Sequence, residues 1–195
     1  MAHLLTLAVL AGLSTNVVLH LGIGVRELAL PGKAPGVFCL NAAGLRRLAV
    51  LPVSVLALWS AVTLAGRVVP LGLGEYVLAF PLGLLAAGGW DRLFGGFCRG
   101  GRATADETSF CGAAGGAALF VTLSLASNFG EAAVLALGNA GGVFLAFAVV
   151  AEIKRRAGME PVPEKLRGTP VALVAMGILS LVFSSAAFMF LGALG

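Results

Sequence analysis

Apolar residues occur in six long runs along the chain, and polar or charged residues are concentrated between them. Most of these runs are long enough for an α-helix to cross the hydrocarbon core of a bilayer. With 59% hydrophobic residues, 11% charged residues and a mean hydropathy of +1.01, the chain has too little polar surface for a soluble globule. The pattern predicts an all-α integral membrane protein with six transmembrane helices, at about 4–25, 48–64, 75–90, 110–126, 132–151 and 171–194.

The basic residues fall almost entirely on one side of the six predicted helices. Of the 13 Lys and Arg residues, all but Arg67 lie between the first and second, the third and fourth, or the fifth and sixth runs. Because cytoplasmic loops carry such an excess, we expect both termini outside and the three long loops in the cytoplasm, in a bacterial or archaeal cytoplasmic membrane. The basic residues are therefore interpreted as topology signals, and no nucleic-acid partner is expected despite the net charge of +4.

Six helices divide into two halves of three, about 1–96 and 105–195, within one transmembrane domain covering 1–195. A repeat with an odd number of helices places its second copy upside down in the membrane. The 28 glycines suit close packing between helices and short or re-entrant half-helices. We therefore expect two inverted three-helix repeats.

Two of the three cysteines have similar surroundings, one in each predicted half. Cys39 lies in Phe-Cys-Leu-Asn-Ala-Ala-Gly and Cys111 in Phe-Cys-Gly-Ala-Ala-Gly, so each places a soft metal ligand beside small residues. Inverted halves would bring the two sequences together near the middle of the bilayer. Cys98, in a loop rich in Gly and Arg, is interpreted as a free cytosolic thiol.

Other interpretations of the cysteine pair remain open. Buried cysteines often pack simply as small apolar side chains. A zinc site is less favoured, because the chain has only two histidines and neither is next to a cysteine. A thiol–disulfide oxidoreductase would favour a Cys-x-x-Cys pair on the outer side, and the sequence has none.

A few polar residues lie within or beside the predicted helices. His20 is a candidate for an ion or proton path, because ionisable groups inside a membrane are often functional. The alternative is a histidine near the interface that donates to a backbone carbonyl. Asn16, Asn41 and Asn139 are interpreted as forming hydrogen bonds between helices.

The C-terminal third carries the clearest sequence motif. Residues 151–156 read Ala-Glu-Ile-Lys-Arg-Arg, 160–168 read Glu-Pro-Val-Pro-Glu-Lys-Leu-Arg-Gly, and a long apolar run begins at Pro170. This segment resembles the membrane subunits of Rnf complexes and of Na+-translocating NADH:quinone oxidoreductases (Nqr). It is most similar to the subunits called RnfA and NqrE, and it is also related to those called RnfE and NqrD.

Shorter motifs elsewhere extend the resemblance. Six residues separate Cys39 from Arg46-Arg47, and the first cysteine of the family is followed by two basic residues at the same spacing. Cys111 is followed four residues later by Gly115, and the second cysteine of the family also has a glycine at that distance. Thr15-Asn16 with Leu21-Gly22 is similar to the first helix of the family.

The resemblance implies a specific cofactor and partners. Cys39 and Cys111 would supply two ligands of a membrane-embedded [2Fe-2S] cluster, and a homologous partner similar to RnfE or NqrD would supply the other two. The chain would then be a subunit, inactive alone, of a ferredoxin:NAD+ or NADH:quinone oxidoreductase that exports Na+ or H+. It would carry electrons across the lipid bilayer to flavin-bearing subunits.

Two departures from the family pattern leave alternatives open. Where the family has Leu-Gly-Leu-Cys after its first-helix motif, this chain has Leu-Gly-Ile-Gly, so Gly24 could take the ligand position and leave Cys39 on an insertion. The segment 103–110 before Cys111 is also more polar than in the family. The alternative function is a non-redox inverted-repeat permease or assembly scaffold that kept the fold without the cluster.

Overall fold

The computed structural model describes residues 2–16, 19, 42–68, 74, 77–78, 81–82, 85, 105–157 and 169–194. These residues are helical except at 15–16 and 126–128, and no β-strand occurs within these ranges. The expectation of an all-α protein is confirmed for this part of the chain.

The helices of the described part include three that are long and apolar enough to cross a membrane. Their membrane-spanning stretches, Val50–Arg67, Phe129–Ile153 and Leu173–Phe190, correspond to the second, fifth and sixth predicted helices. In chain order the elements are α1 (Ala2–Val9) continued by a π-helical turn (Leu10–Ser14), α2 (Ala42–Val68), α3 (Ala105–Leu125), α4 (Phe129–Ala157) and α5 (Thr169–Leu194).

The first predicted transmembrane helix is interrupted. The described helix ends at Ser14, and Thr15 and Asn16 follow in a non-helical conformation. The N–H of Thr15 donates to the carbonyl of Leu10 at 2.8 Å, five residues back, which widens the last turn. A single helix over 4–25 was therefore the wrong prediction at this point, and residues 20–25 lie outside the described residues.

Other helix boundaries also differ from the prediction, and α2 covers Ala42–Val68 where 48–64 was expected. Helix α3 begins at Ala105 and not near 110, so Asp106 and Glu107 belong to its first turn, where acidic residues are favourable for the helix dipole. Helix α4 continues to Ala157, beyond the predicted end at 151, because its final basic residues suit the C-terminal end of a helix.

Some predicted elements fall wholly or partly outside the described residues. In the third predicted helix, 75–90, the residues described are Val77, Leu78, Pro81, Leu82 and Leu85, and all are helical. The segment between the two predicted repeats, 97–104, is not among the described residues. The inverted repeat therefore stays a prediction.

The chain forms two compact units, unit 1 (Met1–Leu48 and Gly138–Gly195) and unit 2 (Ala49–Leu137). In unit 2, Trp59, Leu119 and Ala132 form a buried cluster, and the rings of Trp59 and Phe129 lie 6.3 Å apart. The connection between α3 and α4 is 126–128, shorter than the predicted gap at 127–131 because α4 begins at Phe129 and not at 132. Here the N–H of Ser127 donates to the Glu131 carboxylate at 2.9 Å. This bond resembles a capping box, since the side chain of an early helical residue accepts from the backbone that precedes the helix.

In unit 1 the first helical segment packs against α4 through glycines. A methyl group added at Gly138 would lie 2.9 Å from the carbonyl oxygen of Ala8, and one added at Gly12 would lie 3.1 Å from the carbonyl oxygen of Gly138. A methyl group at Gly142 would overlap the backbone of Gly12. Glycine is required here because the two backbones approach too closely for any side chain.

The first helical segment and α4 run in the same direction within unit 1. Ala8 lies beside Gly138, Gly12 lies beside both Gly138 and Gly142, and Asn16 donates to the carbonyl of Gly142. The contacts therefore advance along both helices together. This direction agrees with the prediction that they are the first and fifth helices of a six-helix chain, both odd-numbered.

The parallel packing and the charge pattern together make a topology prediction. An epitope at the amino terminus should be accessible from outside intact spheroplasts, and an epitope inserted after Ala157 should become accessible only after permeabilisation. The charge pattern predicts that the end carrying Lys154, Arg155 and Arg156 is cytoplasmic. Finding both epitopes on the same side would contradict the arrangement of unit 1.

The glycine contact makes a stability prediction. Gly142→Ala should lower the midpoint of thermal unfolding of the full chain in detergent, since overpacking of a tight contact costs about 1–3 kcal/mol. Gly141→Ala is the matched control, because no described residue lies within 4 Å of its added methyl group. That variant should be as stable as the unsubstituted chain or slightly more stable, as alanine is the better helix former. Equal midpoints for the two variants would count against the contact.

Candidate functional site

The end of the first helical segment is shaped by a π-helical turn. Both the N–H and the hydroxyl of Thr15 donate to the carbonyl of Leu10, at 2.8 and 3.1 Å. Single π-helical turns occur frequently at functional sites, because they reorient the chain without unfolding it. Together with Asn16, this turn ends the helix inside an apolar run.

Asn16 fixes this break against α4. Its side-chain Nδ2 donates to the carbonyl of Gly12 at 3.0 Å and to the carbonyl of Gly142 at 2.8 Å, and its Oδ1 accepts from the N–H of Leu19 at 3.4 Å. The residue is 1% exposed, so these bonds form away from solvent. The amide thus satisfies backbone groups that the interrupted helix leaves open. The predicted helix–helix hydrogen bond of Asn16 is confirmed.

Helix α3 is buried on every side over one and a half turns. All six residues at 114–119 are buried, which is typical of a helix surrounded by other elements. Cys111 is the seventh residue of α3, three residues before this segment, and its side chain lies outside the described part. Gly115 follows one turn after Cys111, on the same helix face. No described residue lies within 4 Å of the position that a Gly115 side chain would take.

The other cysteines and the histidine of the predicted site lie outside the described residues. These are Cys39, Cys98 and His20, and the same holds for Gly24, the alternative ligand position. Within the described ranges, no group of three or more His, Cys, Asp or Glu side chains is placed to hold a metal ion. The pairing of Cys39 with Cys111 therefore remains a prediction.

Asn139 behaves differently from Asn16. It lies on α4 and is 1% exposed, and among the described residues neither its Oδ1 nor its Nδ2 has a hydrogen-bond partner. The predicted helix–helix hydrogen bond of Asn139 is therefore wrong. The first helical segment packs against the face of α4 formed by Gly138 and Gly142. Asn16 therefore bonds to the backbone carbonyl of Gly142 and does not pair with the side chain of Asn139.

The end of α4 carries an exposed ionic cluster. Nε and Nη2 of Arg155 donate to the two carboxylate oxygens of Glu152 at 2.8 and 2.7 Å, and Nε of Arg156 donates to the same carboxylate at 2.9 Å. The hydrogen bond from Glu152 raises the pKa of Arg155 above its ordinary value. Exposed ion pairs of this kind add little stability, which agrees with the interpretation of these basic residues as a topology signal.

One comparison with known proteins bears on this chain. A segment of 56 residues is 39% identical to the A subunit of an "Ion-translocating oxidoreductase complex" from Syntrophotalea carbinolica (strain DSM 2380 / NBRC 103641 / GraBd1). The match covers 29% of this chain and 29% of that protein. No family model matches the chain, and no solved structure matches it significantly. The partial similarity agrees with the resemblance to RnfA noted in the sequence.

The sequence did not single out the glycines of the close contact. Gly138 and Gly142 have the Gly-x-x-x-Gly spacing that is typical of close helix packing in membranes. Gly112 and Gly116 have the same spacing, in a chain with 28 glycines, so spacing alone does not identify the contact. The two pairs differ in that Asn16 lies opposite Gly138 and Gly142, and the spacing of the glycines does not show this.

The hydrogen bonds of Asn16 make a testable prediction. Asn16→Leu should lower the unfolding free energy by about 1–2 kcal/mol, since it removes an interhelical bond and leaves backbone groups unpaired. Thr122→Val is the control, because Thr122 is equally buried but its hydroxyl donates within its own helix, to the carbonyl of Ala118 at 2.7 Å. Thermal or denaturant unfolding of both variants provides the measurement. A leucine variant as stable as the valine variant would contradict the role of Asn16.

Proposed function

We propose that this chain is a membrane electron-transfer subunit of an ion-translocating oxidoreductase complex of the Rnf or Nqr type, active only with its partner subunits. The 39% identity to a protein named for such a complex supports the general role. The three membrane-spanning helices agree with an integral membrane subunit. The match covers only 29% of the relative, so the activity of the whole complex is part of the proposal.

The observation that carries the proposal is the interruption of the first helical segment at Thr15 and Asn16, inside an apolar run. This segment opens the first predicted half of the chain, and α3, which contains Cys111, opens the second. Interrupted hydrophobic segments are typical of the functional centre of inverted-repeat membrane proteins. Cys39 follows the interrupted segment in sequence.

A [2Fe-2S] cluster bound by cysteines needs four ligands, and Cys39 and Cys111 would provide two of them. A homologous partner resembling RnfE or NqrD would provide the other two. Bound by these four cysteines, the cluster would transfer single electrons.

The electrons would pass from a cytoplasmic donor, ferredoxin or NADH, to flavin-bearing subunits outside. We propose that this transfer is coupled to export of Na+ or H+, with alternating access of the two halves biased by the charge of the cluster. His20 is the proposed ionisable group of the ion path. The charge pattern would place both termini outside the cytoplasmic membrane.

A second function is favoured by one feature of the sequence. In an alignment through the first-helix motif, Gly24 takes the position of the first family cysteine and Cys39 lies on an insertion. If Cys39 does not replace that ligand, the chain would hold no cluster and would act as a permease or assembly scaffold with the same fold.

The cysteines provide the direct test. The chain, co-expressed with its genomic neighbours and reduced by dithionite, should give a rhombic [2Fe-2S] signal in electron paramagnetic resonance together with bound iron. Cys39→Ser and Cys111→Ser should each abolish the signal, and Cys98→Ser, the matched control, should retain it. A signal retained in Cys39→Ser would contradict the assignment of Cys39 as a ligand. An intact complex without iron or signal would overturn the electron-transfer proposal in favour of the permease or scaffold.

A further inference from the structure

Asn139 is a polar side chain near the middle of a membrane-spanning helix. It lies in the stretch Phe129–Ile153 of α4, well away from both ends. Its neighbours on the buried face of α4 are apolar and include Leu135, Ala136 and Val143. An amide at this depth is costly unless its polar atoms are satisfied, since burial without a hydrogen bond costs about 1–3 kcal/mol for each group.

Both polar atoms of this amide are open. Among the described residues, neither Oδ1 nor Nδ2 of Asn139 has a hydrogen-bond partner. Asn16, which is equally buried in the same unit, has three hydrogen bonds through its side chain. The contrast is informative, because buried unpaired groups in native proteins commonly bind water or an ion.

The burial of Asn139 restricts what can bind it. The residue is 1% exposed within this chain alone, so neither a lipid nor a side chain of a partner protein can reach it in this conformation. Only a species of the size of water or a small cation fits this requirement. A bare cation would satisfy Oδ1 and repel Nδ2, whereas water accepts from Nδ2 and donates to Oδ1.

The amide of Asn139 offers what a bound water requires. A bound water needs two to four polar partners, and Asn139 presents an acceptor, Oδ1, and a donor, Nδ2. The nearby carbonyls of Gly12 and Gly142 already accept from Asn16 and are not needed for this site.

We propose that Asn139 binds water inside unit 1, forming a hydrated polar site near the middle of the membrane-spanning part of α4. The site goes beyond the proposed electron transfer and does not rest on it. A hydrated site at this depth lowers the energy of an ion in the membrane interior, whether the water is present alone or enters with a monovalent cation.

The most direct test uses the unsubstituted chain. Water-edited NMR of the full chain in lipid bilayers, labelled with 15N-asparagine, reports which side-chain amides contact water. Asn139 should show water contact like the exposed Asn128, with amide exchange at least about tenfold faster than that of the bonded Asn16. Assignment comes from the signal lost in Asn139→Leu. An Asn139 amide as protected as that of Asn16 would overturn the proposal.

A second measurement does not depend on the leucine variant. Asn139→Cys should react with Ag+ at least about tenfold faster than Val143→Cys, because a thiolate forms only where water reaches it. Val143 is the matched control, since it lies one turn further on the same buried face and carries no polar group. The unsubstituted chain gives the background from its own cysteines. Equal rates for the two variants would contradict water access at Asn139.

The occupant is identified by repeating the NMR measurement in NaCl and in choline chloride at equal ionic strength. A Na+-dependent change at Asn139 would indicate a hydrated cation, and no change would indicate water alone. Both results support the site. Neither measurement depends on iron or on electron flow. A negative result for water at Asn139 would therefore not contradict the proposed electron transfer, and a complex without a cluster would not contradict the water site.

Discussion

The close contact between the first helical segment and α4 is the interaction on which the described part of unit 1 depends. Gly12, Gly138 and Gly142 allow the two backbones to approach within a distance that excludes any side chain. Only at this separation does the short side chain of Asn16 reach the carbonyl of Gly142, at 2.8 Å. That bond compensates for ending a helix inside an apolar run, where unpaired backbone groups are otherwise expensive. Close packing and the helix interruption therefore require each other.

The hydrophobic pattern predicted the long helices well and the interruptions poorly. Helices α2, α4 and α5 were predictable because each apolar run is long and its charged residues lie at or beyond its ends. The break at Thr15 was not, since it arises from hydrogen bonds to Leu10 and Gly142 that hydropathy does not record. The start of α3 at Ala105 was missed for a related reason, because acidic residues were counted as loop although they suit the first turn of a helix.

The candidate site was predictable only in part. The sequence indicated Cys111 through its glycine spacing and Asn16 through its position in an apolar run, but it treated Asn16 and Asn139 alike. Their difference depends on which face of α4 meets the first helix, and this is a property of tertiary packing. The resemblance to RnfA agrees with a partial identity of 39%, while the cluster, the coupling ion and the partner proteins remain proposals.

The account combines a glycine contact, an interrupted first helix and the position of Cys111 on α3 into one proposed role, electron transfer through the membrane. The most direct test is electron transfer across sealed proteoliposomes containing the complete complex, with reductant outside and an electron acceptor trapped inside. The account predicts that the trapped acceptor is reduced by the unsubstituted complex and by Cys98→Ser, and that Cys111→Ser reduces it no faster than empty liposomes do. Undiminished reduction with Cys111→Ser, in a complex that retains all its subunits, would contradict the account.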